Sequence, residues 1–180
     1  MKKFIALLRG INVSGQKKIK MSELKSLLEK AGFQDVITYI QSGNVIFSSN
    51  EKSGKKLVKK ISSEIKRRFG FDVQVVILTL KEIEYTLKNN PFIKRKKESE
   101  RLYVTFLSNI PSKENLQKLN SIDYSPEEYK VDRNLIYLFL PNGAGKAKLN
   151  NNLFENKLKV DGTTRNWKTI KTLSELITTQ

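Results

Sequence analysis

Apolar positions fall into short clusters whose spacing switches between the two-residue period of a strand and the 3.6-residue period of a helix. Phe4 to Leu8 is a continuous apolar run suited to a buried strand, and the polar stretch Arg9 to Lys20, with Gly10, Asn12, Ser14 and Gly15, reads as a loop. Met21, Leu24, Leu28 and Ala31 then recur at helical spacing, and Gly32 stands where a left-handed cap ends a helix. Val36 to Ile40 and Val45 to Ser48 flank Gln41-Ser42-Gly43-Asn44, a turn cluster that closes an antiparallel hairpin. Leu57, Val58, Ile61, Ile65 and Phe69 mark a second amphipathic helix ending at Gly70, after which Val73, Val75 and Ile77 alternate in a strand. The series over residues 1–78 is βαββαβ, which predicts a ferredoxin-like subdomain with two helices on one face of a four-stranded sheet.

Thr79 and Glu82 form a capping-box pattern for a helix to about Lys88, which Asn89-Asn90-Pro91 breaks. Lys94-Arg95-Lys96-Lys97 follows as an exposed basic connector, so residues 79–100 are assigned to a helix and linker between two subdomains. Residues 101–180 predict a second, related α+β half. It comprises a strand over 102–107, a helix opened by Pro111-Ser112 with Leu116 and Leu119 on one face, and strands near 129–131 and 135–140. A loop from Pro141 to Gly145, a helix over 149–158 and a last helix complete it, the last capped by Thr163-Thr164 with Trp167, Ile170, Leu173 and Ile177 facing inward. The fold class is thus α+β in two subdomains. The second half echoes the first without any sequence repeat.

Composition narrows the chemistry. The chain has 180 residues, enough for two small domains, and no cysteine or histidine. That removes thiolate nucleophiles, imidazole bases and the usual nitrogen and sulfur ligands of zinc, so neither a metal nor another cofactor is expected. The apolar run after Met1-Lys2-Lys3 is too short for a signal-peptide core or a membrane span. The expectation is a cytoplasmic monomer without a membrane partner. Thirty-four Lys and Arg against eighteen Asp and Glu leave a charge of +16, a field that attracts polyanions. An AT-rich genome explains the preference for Lys over Arg better than it explains the scarcity of acids.

Three polar clusters are candidate sites. The first is the loop after the first strand, where Arg9, Asn12, Lys17, Lys18 and Lys20 lie between a strand end and a helix start, with no acid before Ser22. There Arg9 would grip two phosphate oxygens, the lysines would supply mobile charge, and glycine would turn backbone N–H groups toward the anion. The second is the turn carrying Gln41, Ser42 and Asn44. The third is Thr163-Thr164-Arg165-Asn166-Trp167, in which Thr164, Arg165 and Asn166 are the ligand candidates against a capping role for the threonines and an anchoring role for the sole Trp. Gly143-Ala144-Gly145-Lys146 is not a phosphate-binding Walker loop, since Leu140 occupies the first glycine position and Ala147 the hydroxyl position. Glu23, Glu29, Asp35 and Glu64 form no catalytic pair, and Asp161 is the one carboxylate worth testing.

The blocks Ala6-Leu7-Leu8-Arg9-Gly10-Ile11-Asn12-Val13, Lys18-Ile19-Lys20-Met21 and Thr38-Tyr39-Ile40-Gln41-Ser42-Gly43-Asn44-Val45 resemble a bacterial family catalogued as domain-of-unknown-function family 1697. So do Tyr137-Leu138, Lys148-Leu149, Phe154-Glu155 and Thr163 to Trp167 near the C-terminus. The resemblance implies two small α+β subdomains and no known reaction. Ser14 departs from the family's glycine-rich loop. The leading expectation is a protein that binds nucleic acid or another phosphate-bearing ligand through the basic loop. An enzyme acting on a small phosphorylated metabolite and a protein-interaction module stand as alternatives.

Overall fold

The structure, a computed structural model, describes residues 1–13 and 15–179, so Ser14 lies outside the described residues. The chain divides into two compact units, Met1–Glu84 with the chain from Thr172 onward, and Tyr85–Lys171.

The first unit follows from the alternation of its strands. β1 (Lys2–Leu8), α1 (Met21–Lys30), β2 (Gln34–Tyr39), β3 (Asn44–Ser49), α2 (Gly54–Phe69) and β4 (Val75–Thr79) build a four-stranded antiparallel sheet in the order β2-β3-β1-β4. Phe4, Ala6 and Leu8 on β1 and Val45 and Phe47 on β3 meet Leu24, Leu28, Leu57, Ile61 and Ile65 of the two helices in one core. The intervening Ile5, Leu7, Ile46 and Leu78 are buried too, so both faces of this sheet are covered. Gly32, at φ +88°, supplies the left-handed residue that ends α1, and Phe33 N–H closes back on the Leu28 carbonyl at 3.1 Å. Gly70 does the same for α2, bonding the Lys66 carbonyl at 2.9 Å.

Register decides what shares an end of the sheet. Leu7 pairs with Asn44 and Leu8 with Val75, so the end of β1 meets the starts of both β3 and β4. The loop after β1, the 40–43 turn and the segment linking α2 to β4 are therefore neighbours.

Thr79 and Glu82 form the predicted capping box at α3 (Leu80–Lys88), with Thr79 N–H donating to Glu82 Oε2 at 2.7 Å. The basic connector is held more firmly than the sequence suggests. Asn90 caps a short α4 (Pro91–Lys94), while Arg95 and Lys97 both pair with Glu128, Lys97 at 2.8 Å, and Lys97 lies over the Phe139 ring. These contacts hold the Glu128 carboxyl below the usual carboxylate range, the Lys97 hydrogen bond most of all.

The second unit repeats the order with β5 (Leu102–Leu107), α5 (Lys113–Asn120), β6 (Glu128–Asp132), β7 (Leu135–Phe139), α6 (Asn151–Leu158) and β8 (Gly162–Asn166) in a sheet β6-β7-β5-β8. Ser112 caps α5 and Asn150 caps α6. The expectation for Thr163-Thr164 is corrected. Both threonines are β-branched and pair with Phe106 and Thr105 as part of β8, and the strand passes directly into α7 (Trp167–Thr179). The cap is Asn166, whose Oδ1 accepts the Thr169 N–H at 2.8 Å. No helix among the described residues is long and apolar enough to cross a membrane.

Phe47 is fully buried between Phe4 and Phe33, with ring centroids at 5.7 and 4.8 Å. Phe47→Ala is expected to lower stability by about 3–5 kcal/mol in urea unfolding. Ile110→Ala, at a site 68% exposed, should stay within about 0.5 kcal/mol.

Candidate functional site

The loop after β1 is held by one side chain. Asn12, at φ +56°, donates from Nδ2 to the carbonyls of Ile19 and Gln41, both at 2.9 Å, and accepts the Ile19 N–H on Oδ1 at 2.8 Å. An amide has two donor hydrogens and one carbonyl oxygen, so Asn12 is spent as a clamp joining the two ends of the loop to the 40–43 turn. Gly43 completes the joint at φ +76°. A Cβ there would sit 2.8 Å from both Leu8 Cβ and Ile11 Cδ1, and the Gly43 carbonyl accepts the Leu8 N–H at 2.8 Å.

The turn itself is structural. Asn44 is fully buried and donates to the Tyr39 carbonyl and to Ser42 Oγ, each at 3.0 Å. Gln41 contributes its backbone carbonyl to Asn12 and leaves its side chain exposed. Ile40, a β-branched residue at φ +50°, is forced into a conformation that glycine or asparagine adopts more readily.

Beside this joint opens a cleft of about 720 Å³. Arg9, Gly10, Gln16 and Lys17 line it from the loop, Lys59, Ser62, Ser63 and Lys66 from α2, and Asp72, Val73 and Gln74 from the approach to β4. Arg9 Nη1 donates to Gln74 Oε1 at 2.8 Å, Lys17 Nζ to the Asp72 carbonyl at 2.6 Å, and Lys66 Nζ pairs with the Asp72 carboxylate at 2.9 Å. The 72–74 segment thus holds three cations around one concavity. Several of the loop's backbone donors are used within the unit. The N–H groups of Arg9, Asn12, Gln16 and Ile19 are spent on Gln74, Lys17, Val13 and Asn12.

Of the loop cations, Lys18 is exposed outside the cleft lining, and Lys20 stands at the N-terminus of α1, 4.0 Å from Glu23. The sequence reading missed Lys59 and Lys66. Their signal was available in Lys55, Lys59, Ser62 and Lys66, spaced at i, i+4, i+7 and i+11 on the side of α2 away from Leu57, Ile61 and Ile65.

Thr164, Arg165 and Asn166 belong to the second unit, where each has an internal task. Thr164 donates to Asn151 Oδ1 at 2.7 Å and accepts from Thr105. Arg165 is 8% exposed, donates to Thr163 Oγ1 and the Thr164 carbonyl at 2.8 and 2.9 Å, and has its guanidinium pushed down to about 10 by burial. The loop before α6 is likewise internally satisfied, because Glu127 accepts the Lys148 and Leu149 N–H groups at 2.9 and 2.8 Å. Asp161 contributes its carbonyl to the Ser108 N–H at 2.8 Å, while its side chain lies at the surface.

A family model described as a protein of unknown function, DUF1697, matches residues 1–137, the stretch that contains the clamp, the turn and the cleft. The chain belongs to the DUF1697 family. This DUF1697 protein is similar in structure to the conserved bacterial protein SP0830 from Streptococcus pneumoniae, with a TM-score of 0.75 and 24% identity over 99% of each chain. At that identity the likeness carries the fold alone. No curated protein matches the DUF1697 chain.

Gly43→Ala combines a contact too close for carbon with a φ that alanine resists, and is expected to cost upward of about 1 kcal/mol in urea unfolding. Asn12→Ala strips the buried Ile19 N–H of its acceptor and should cost about 1–3 kcal/mol. Ile40→Asn has the opposite sign. It relieves the backbone and should stabilise by about 1 kcal/mol.

Proposed function

We propose that the two units are ferredoxin-like and that the first binds a phosphate-bearing ligand in the cleft between the loop after β1 and α2. The observation that carries this reading is the convergence of Arg9, Lys17, Lys59 and Lys66, far apart in sequence, on one open concavity held by the clamp at Asn12. A guanidinium suits two oxygens of one phosphate, and flexible ammonium groups suit its remaining charge. Ser62 and Ser63 donate their hydroxyls to helix carbonyls, to Val58 at 2.8 Å and Lys60 at 3.0 Å. They therefore offer the ligand acceptors, and the cations supply the attraction.

The sheet offers no alternative platform in this unit, since Ile5, Leu7, Ile46 and Leu78 are buried on the face away from the helices. Gln41, Ser42, Asn44 and Asn12 enter as the frame that fixes Arg9 and Lys17. Lys18 and Lys20 enter as outlying charge.

Pyrophosphate is the simplest probe. It is expected to raise the melting temperature saturably, adding about 2.7 kcal/mol of stability at a hundredfold excess over Kd, and Lys17→Gln/Lys59→Gln should abolish that rise while circular dichroism stays unchanged. A melting temperature indifferent to pyrophosphate, or a rise that survives the double substitution, rules the reading out.

A further inference from the structure

The cations of α2 do not stop at the cleft. The helix has 16 residues and so extends for about 24 Å at ~1.5 Å per residue. Lys55, Lys59, Ser62 and Lys66 form one row along it, and Lys56, Lys60, Ser63 and Arg67 form a second row beside the first. Lys55, Lys56 and Lys60 are exposed and lie outside the cleft lining. Glu64, the one carboxylate of α2, is taken by Arg67, whereas Lys55 and Lys59 make no ion pair among the described residues.

Local contacts account for only part of this distribution, through Lys56 with Glu51 and Lys60 over the Phe33 ring. The first turn of a helix favours acids, because its unpaired N–H groups carry positive charge. α2 has no acid there and places Lys55 and Lys56 against the unfavourable end, where Glu51 pairs with Lys56 at 3.5 Å and Lys55 has no ion pair among the described residues. A ligand confined to the cleft would leave those lysines unused. A polymeric anion lying along the helix would engage them together with Lys59 and Lys66.

The lining of the cleft indicates which polymer. It consists of cations, amides, hydroxyls, Asp72, Gly10 and Val73, and so offers charge and hydrogen bonds without an aromatic face. Single strands are held largely by bases stacking on aromatic rings, whereas a duplex presents phosphates at the highest density and keeps its bases inside. We infer that α2 and the adjoining cleft form an interaction surface for double-stranded nucleic acid, gripped through the phosphates of one backbone without reading base sequence. This inference rests on the cleft being an anion site. From Lys55 to Lys66 the row covers about 16 Å, the length of about five phosphates of one strand at ~3.4 Å each.

The test is fluorescence anisotropy with the full chain and two labelled duplexes of unrelated sequence, each about 16 base pairs and so longer than that row, alongside a single strand of the same length. The expected result is equal affinity for both duplexes, weaker binding of the single strand, and a log Kobs against log salt slope near about −4.5 for five phosphate contacts. Lys55→Gln/Lys56→Gln should make that slope shallower by about 1.8 while leaving the pyrophosphate-induced rise in melting temperature intact. A single strand bound more tightly than the duplexes, or a slope unchanged in this variant, overturns the inference. Stabilisation by pyrophosphate without duplex binding overturns the duplex and retains the cleft; loss of both overturns both.

Discussion

The approach of Gly43 to Leu8 and Ile11 is the contact on which the cleft end of the first unit depends. Backbone stands against side chain at a separation that admits no Cβ, and Asn12 locks the joint with three hydrogen bonds that use every donor it has. Because β1 lies between β3 and β4, fixing Leu8 against Gly43 also fixes Arg9 against Gln74, whose carbonyl accepts the Arg9 N–H at 2.9 Å. A rigid joint of neutral groups thereby positions a set of mobile charges.

The charges are arranged economically. Asp72 tethers Lys17 through its carbonyl and Lys66 through its carboxylate, so one exposed residue draws two cations toward the same opening. Such exposed pairs contribute little to stability. Their consequence is local concentration of positive charge beside a frame that is already satisfied.

The second unit shows what the same strand order becomes without that end. Leu107 N–H bonds the Asn134 carbonyl and Ser108 N–H bonds the Asp161 carbonyl, both at 2.8 Å, in the register positions held by Leu8 with Gly43 and Arg9 with Gln74. Ser108 and Asp161 thus replace Arg9 and Gln74, and the 8-residue α6 replaces the 16-residue α2. Its Arg165 is buried and its Glu127 closes on backbone N–H groups within the unit. The backbone scheme is shared, and the cationic cleft is not.

Hydrophobic spacing determined the strands and helices, because burial on one face imposes a period that Leu24, Leu28, Leu57, Ile61 and Ile65 display without any tertiary information. Gly32, Gly70 and the Thr79–Glu82 box were legible as helix boundaries for the same local reason. Thr163 and Thr164 were misread as caps, because a threonine pair suits a cap and a strand equally and only pairing with β5 separates the two. In the site, Arg9 and Lys17 were visible as a basic loop, whereas the clamping role of Asn12 and the arrival of Lys59 and Lys66 depend on contacts between distant segments. Sequence by itself determined where the charges lie along the chain. The antiparallel register of β1 with β3 and β4 decided which of them meet, since a shift of one residue would turn every side chain of β1 to the opposite face.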